Sequence, residues 1–141
     1  MSQTAIFVNK DISTATSRLR GYNIYQNLKK NIKFFVIKEL YQKKKINLKR
    51  IKNFFIFFHI LKKTKNIKVF YLVKTVYNID FLIFIILVKF FTKKKIIFDF
   101  DDAIFFKPFT KFNTNILLKI ADVIVVGSSY LYKWVKIKKK N

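Results

Sequence analysis

The chain has 141 residues, with thirty Lys and Arg against seven Asp and Glu and a formal net charge of +23. At 52% hydrophobic residues it is too apolar for disorder and long enough for one domain with a buried core. The absence of cysteine removes disulfides, thiolate metal sites and cysteine nucleophiles together, and a lone histidine, His59, argues against a zinc-binding cluster.

Lys, Ile, Phe, Asn and Tyr are enriched together while Gly, Pro and Trp are scarce, the pattern of AT-rich codon usage. Part of the positive charge is therefore compositional. The remainder predicts attraction to polyanions or to an anionic membrane surface. Met1 to Lys10 lacks a basic start followed by a long apolar core, so no secretory signal is expected. The most apolar segment, Phe81 to Val88, is bounded by Asp80 and Lys89 and falls far short of the roughly twenty residues of a membrane span. A cytoplasmic protein is expected, with peripheral attachment to the inner face of the membrane open to it.

In chain order, Ala5 to Val8 reads as a first strand, and Asn9 to Thr16 as a polar loop able to cap a helix. The spacing predicts a helix from Ser17 to Lys30, with Leu19, Ile24 and Leu28 on one face. Arg18 and Arg20 then fall in its first turn, where the macrodipole disfavours cations. Either they face an anionic ligand or they are solvent-exposed charge. Ile32 to Ile37 reads as a second strand and Glu39 to Lys45 as a charged connection. A helix is predicted over Ile46 to Lys63, where Leu48, Ile51, Phe54 or Phe55, Phe58 and Leu61 recur at helical spacing. His59 lies beside that stripe and reads as an ordinary helix residue.

Ile67 to Val73 is strand-like and delivers Lys74 and Thr75 at its C-terminal end. An apolar helix is predicted over Asn78 to Phe91. Ile96 to Phe98 then forms a short buried strand ending in Asp99, Asp101 and Asp102, three of the chain's seven acids. Phe105 to Phe112, with the single proline Pro108, reads as an irregular excursion, and Phe112 to Ala121 as a helix. Asp122 to Val126 is a fifth strand. Gly127, Ser128 and Ser129 form a turn in which one serine caps a helix reaching Lys136. A basic tail over 138–141 follows a single domain over 1–137.

Alternation of strands and helices with near-continuously apolar strands predicts an α/β fold, a Rossmann-like parallel sheet of about five strands flanked by helices. Ligands of such sheets sit at the C-terminal strand ends, which is where the three carboxylates fall. The competing reading is a capping aspartate or a lysine partner. Gly21 and Gly127 are the only glycines, so neither a dinucleotide fingerprint nor a Walker loop can be written. No nucleophile-elbow motif accompanies His59.

Three segments together resemble the N-terminal domain of GT-B glycosyltransferases of the group 1, family 4-like type. They are Ser17-Arg18-Leu19-Arg20-Gly21, Phe98-Asp99-Phe100-Asp101-Asp102-Ala103, and the run from Ala121 through Val126, Gly127, Ser128 and Ser129 to Leu131. Lys74 fits the lysine that precedes the acidic loop in related sequences. The resemblance covers nearly the whole chain.

It implies an acceptor-side half that contributes to a cleft, with a nucleotide-sugar donor held by a second, C-terminal domain. That domain is absent from this sequence, so a truncated or split enzyme is expected, with a separately encoded donor half among its expected partners. The glycines that often follow the first strand in this family are replaced by Lys10 to Thr14. By this resemblance Asp101 and Asp102 are the catalytic candidates, orienting an acceptor hydroxyl or stabilising oxocarbenium-like charge. Arg18, Arg20 and Lys74 would neutralise diphosphate on a donor or a lipid-linked acceptor. Gly21, Asp99, Gly127, Ser128 and Ser129 complete the substrate-binding set. No metal and no cofactor is expected on this half alone. The expected partners are a glycan or lipid-linked acceptor and an anionic membrane surface. A nucleic-acid-binding module is the alternative, suited by charge and Tyr/Phe content but without a recognisable motif.

Overall fold

The computed structural model describes residues 4–9, 13–28, 32–37, 49–74, 79–103 and 108–140. The expected charged connection over 39–45, Thr75, most of the loop over 10–14 and the first part of the aromatic excursion, 105–107, lie outside the described residues.

Five parallel strands, β1 (Thr4–Val8), β2 (Ile32–Val36), β3 (Val69–Val73), β4 (Lys95–Phe100) and β5 (Val123–Val126), form one sheet in the order β2-β1-β3-β4-β5. The Rossmann-like α/β expectation is met. Between the strands lie α1, built of Ala15–Ser17, the π-type stretch Arg18–Tyr22 and Asn23–Asn27, then α2 (Lys49–Lys63), α3 (Ile79–Phe91) and α4 (Pro108–Ile120). A final helix, α5 (Ser129–Lys140), follows β5.

Strand order explains where the helices go. The chain steps one way from β1 to β2 and the opposite way from β2 over β1 to β3, β4 and β5. Right-handed crossovers made in opposite directions place their helices on opposite faces. Thus α1 lies against one face, where Ile24 and Tyr25 pack on Ile6, Val8, Ile32 and Val73. The other helices cover the second face over Ala5, Phe7, Phe70, Leu72, Ile96, Phe98 and Phe100. The strand order reverses between β1 and β3, and that opening is where doubly wound sheets hold ligands.

The core is strongly aromatic, in keeping with the eighteen phenylalanines of the chain. Phe7 sits within 5.0 Å of the Phe35 ring and 4.9 Å of Phe70, and Phe98 stacks on Phe100 at 4.9 Å. Trp134 of α5 meets Phe100 edge-on at 6.5 Å. Beneath the sheet, Lys94 threads its ammonium to the carbonyls of Thr64 (2.7 Å) and Ile67 (2.5 Å), tying the end of α2 to the start of β4. Burial lowers its pKa.

Several local expectations are corrected. The first helix starts at Ala15, not Ser17, and its buried side carries Ser17 and Gly21 with Ile24 and Tyr25 beside them, while Leu19 and Leu28 are exposed. The N–H of Asn23 donates to the carbonyl of Arg18, five residues back, and this wide turn resets the helical phase. In α2 the predicted stripe points outward: Phe55, Phe58 and Leu61 are exposed, while Ile60 is buried with Ile56 and Phe57 packed around it. Both faces of that helix are apolar, so periodicity alone cannot choose between them. Pro108 opens α4, as its fixed φ and missing N–H favour at a first helical position, and Lys138, Lys139 and Lys140 of the expected basic tail belong to the last turn of α5, Asn141 lying outside the described residues.

Asp122 joins three elements. Its Oδ1 accepts from Lys89 Nζ at 2.6 Å and its Oδ2 from the backbone N–H of Ile96 at 2.8 Å. Burial raises its pKa, but the hydrogen bonds from Lys89 and Ile96 outweigh it and hold the carboxyl below the usual 3.8. A carboxyl lowered on folding stabilises the native state above its unfolded pKa and ceases to as the pH falls through its folded value. Asp122→Asn is therefore expected to cost about 1 kcal/mol at neutral pH in urea unfolding. The gap to the parent should close below pH 3.8.

Candidate functional site

At the C-terminal ends of β1, β3, β4 and β5 the sheet gathers charges far apart in sequence. Asp99, the penultimate residue of β4, points to the α1 side of the sheet and is 3% exposed. Its Oδ1 accepts from Arg20 Nη1, and its Oδ2 accepts from the Tyr71 hydroxyl at 2.6 Å. Arg20 Nε lies 3.2 Å from Asp101 Oδ2, so one guanidinium bridges two carboxylates. Next to them Lys74 Nζ pairs with Asp102 Oδ2. Two cations thus face three carboxylates, an excess of one negative charge in a strongly basic chain.

Backbone geometry sets up each partner. The wide turn of α1 carries Arg20 and Gly21 in succession. Gly21 rests on the strands: a Cβ there would stand 2.6 Å from Val8 Cγ1 and 3.2 Å from the Phe34 ring. The close approach lets Arg20, one residue earlier, reach across the ends of β1 and β3. Gly127, just past β5, leaves space for the same arginine, since a Cβ there would meet Arg20 Nη2 at 2.8 Å and Asp101 Cβ at 3.1 Å. Lys74 has φ 66°, the one left-handed non-glycine among the described residues, at a cost of roughly 1–2 kcal/mol. Its N–H donates to the Asp99 carbonyl at 2.7 Å, extending the β3–β4 ladder beyond the strand and directing its side chain to Asp102.

The electrostatics follow from burial. Asp99 loses so much hydration that its pKa is raised, despite the Tyr71 and Arg20 hydrogen bonds that favour its charged form; the Asp101 charge adds to the rise. Burial, then the hydrogen bond to Asp99, likewise push the Tyr71 phenol well up, so it remains a donor at any ordinary pH.

Of the sequence candidates, Arg20, Asp99, Asp101 and Gly127 form one cluster, with Lys74 and Asp102 adjoining. Arg18 is exposed and makes no ion pair among the described residues. Gly21 serves packing against the strands. Ser128 is the N-cap of α5, its Oγ accepting from the Leu131 N–H at 3.3 Å, and Ser129 is exposed in the first turn. Tyr71 was missed. Its signal is a phenol within Val69-Phe70-Tyr71-Leu72-Val73, where a half-buried hydroxyl requires a partner.

The charges of Arg20 and Lys74 are both engaged by carboxylates, so the open capacity of the rim is for accepting hydrogen bonds. Asp102 is 59% exposed with one oxygen paired. Asp101 Oδ1 is buried and has no hydrogen-bond partner among the described residues. An unsatisfied acceptor of this kind costs about 1–3 kcal/mol, which an incoming hydroxyl or amide would recover. Among the described residues no cluster of three or more His, Cys, Asp and Glu side chains is arranged to hold a metal ion. No protein-family model, curated protein or solved structure matches the chain.

Removing Arg20 strands a buried carboxylate, whereas removing Lys74 frees one that water can solvate. Arg20→Ala should cost about 3–5 kcal/mol in urea unfolding and Lys74→Ala no more than about 1 kcal/mol. Without Arg20 the Asp99 pKa rises further, so the native state takes up a proton that the unfolded chain binds only near 3.8. The Arg20→Ala defect should accordingly shrink as the pH is lowered toward 3.8, and a defect independent of pH would contradict this account.

Proposed function

We propose that this chain is the acceptor-side half of a glycosyltransferase, holding the hydroxyl that receives a sugar while a second domain holds the nucleotide-sugar. The observation that carries the reading is the unsatisfied Asp101 Oδ1 beside exposed Asp102, on the rim at the C-terminal end of β4. Carboxylate oxygens at the C-terminal ends of parallel strands suit the hydroxyls of a glycan, which arrive as donors. The segments around Arg20, Asp101 and Gly127 that resemble the GT-B acceptor domain support it from the sequence side.

In this reading Asp101 and Asp102 orient the acceptor hydroxyl, and a carboxylate also favours the positive charge that develops on a sugar ring during transfer. Asp99 and Tyr71 act one step back, fixing the guanidinium of Arg20 so that Asp101 keeps one geometry. The left-handed backbone at Lys74 does the same for Asp102. Arg20 cannot neutralise a diphosphate without giving up a carboxylate partner, so anionic groups of substrate fall to Arg18, which is exposed on the same helix.

Saturation-transfer NMR with hexoses, N-acetylhexosamines and nucleotide-sugars tests this directly. Free sugars are expected to bind with roughly millimolar affinity. Asp101→Asn, which keeps shape and removes charge, should weaken that binding about tenfold. Nucleotide-sugar turnover by the 141-residue chain alone is not expected. Steeply salt-dependent oligonucleotide binding that ignores Asp101→Asn, with no sugar bound, would replace this reading with a nucleic-acid module.

A further inference from the structure

The outward faces of α2 and α3 carry more exposed apolar surface than any folding role explains. On α3, Ile79, Ile83, Leu87 and Phe90 recur at four, four and three residues and form a single exposed stripe, with Phe90 at 73% and Phe91 at 82% exposure. The opposite side of that helix is fully used by the core, through Phe81, Leu82, Phe84, Ile85 and Val88. On α2, Phe55 and Phe58 are exposed at 66% and 62%. The two helices lie side by side, with Phe57 of α2 stacked on Phe84 of α3 at 4.8 Å, and Leu61 shares a hollow with Thr92 and Lys93 just past α3. The exposed rows therefore belong to neighbouring helices and not to opposite ends of the molecule.

Charge completes the pattern. No acidic residue occurs between Glu39 and Asp80, while Lys62, Lys63, Lys65 and Lys68 are exposed where α2 gives way to β3. Lys93 and Lys95 are exposed just past the end of α3. Apolar rows edged by unopposed lysines match the boundary of an anionic bilayer, where acyl chains lie beneath negative headgroups. Among the described residues no helix is long and apolar enough to cross a membrane, and α3, at about 20 Å, is shorter than the hydrocarbon core.

We infer that these two helix faces dock the protein onto an anionic lipid surface, Phe90 and Phe91 entering the interface and the lysines engaging headgroups. Two other occupants fit less well. A second copy would bring two sets of exposed lysines together, with Asp80 in the first turn of α3 the one carboxylate that the described residues of these two helices offer against them, a largely like-charge contact. A nucleic acid would use the lysines and the phenylalanines but gains nothing from Ile79, Ile83 and Leu87, which offer no ring for stacking. The inference does not rest on the sugar-binding reading, because the surface shares no residue with the Asp101–Asp102 rim.

Flotation of the full chain with vesicles decides it, using phosphatidylcholine alone and phosphatidylcholine with a third phosphatidylglycerol. Binding is expected only to the anionic vesicles and should fall as salt rises from about 0.1 M to about 1 M. The Phe90→Ser/Phe91→Ser double variant and the Lys62→Glu/Lys93→Glu double variant should each bind at least roughly tenfold more weakly. Phe112→Ser removes an exposed phenylalanine from α4 instead and should bind as the parent does. Circular dichroism confirms that each variant is folded. Asp101→Asn should float unchanged, so this inference and the sugar-binding reading fail separately. No flotation with anionic vesicles, equal losses in the Phe112 and Phe90/Phe91 variants, or a dimer abolished by the Phe90/Phe91 changes would overturn the inference. So would displacement of the vesicles by an oligonucleotide with undiminished binding in the Phe90/Phe91 variant.

Discussion

A carboxylate at 3% exposure in the sheet is the constraint around which this molecule is arranged. Burying Asp99 is unfavourable unless both oxygens are satisfied, and here two different neighbours share the task. One oxygen takes the Tyr71 hydroxyl from the adjacent strand and the other takes Arg20 from the helix after β1. That second contact requires α1 to come close to the sheet, which the missing side chain of Gly21 permits. It also requires space past the end of β5, which Gly127 supplies. The chain's two glycines thus serve one arginine.

Fixing Arg20 has consequences at the surface. Its Nε holds Asp101, so the rigid interior of the sheet is transmitted to the first residue of the rim by one planar group. Asp102 is held differently, through the left-handed backbone of Lys74 and an ion pair open to water. The rim thus has a stiff member and a compliant member. Such a division suits a site where one carboxylate sets geometry and the other adapts to what binds. The same layout concentrates negative charge at one edge of the sheet, while exposed lysines without acidic neighbours gather where α2 meets β3 and just past α3.

Much of this could be read from residue order. Runs of β-branched and aromatic residues at 5–8, 32–36, 69–73, 95–100 and 123–126, separated by helical lengths, admit few arrangements other than a parallel sheet. The acids after Phe98 mark the C-terminal ends of that sheet, and the serines after Gly127 mark a helix start. These are local signals, resolved within a few residues, and local rules suffice for them.

Other features were decided only when the chain closed on itself. Arg20 and Asp99 are 79 positions apart, and nothing near either names the other. From sequence, Arg20 is an unpaired cation awaiting an anion; in the fold its anions are the protein's own carboxylates. Which side of α2 faces inward was equally hidden, because Phe55 and Phe58 repeat as regularly as Phe57 and Ile60 do. When two faces of a helix are apolar, burial is allotted by the neighbours it meets, and those neighbours exist only in three dimensions. Sequence determined the elements and their direction; tertiary structure decided which charges were spent internally and which apolar rows were left outside.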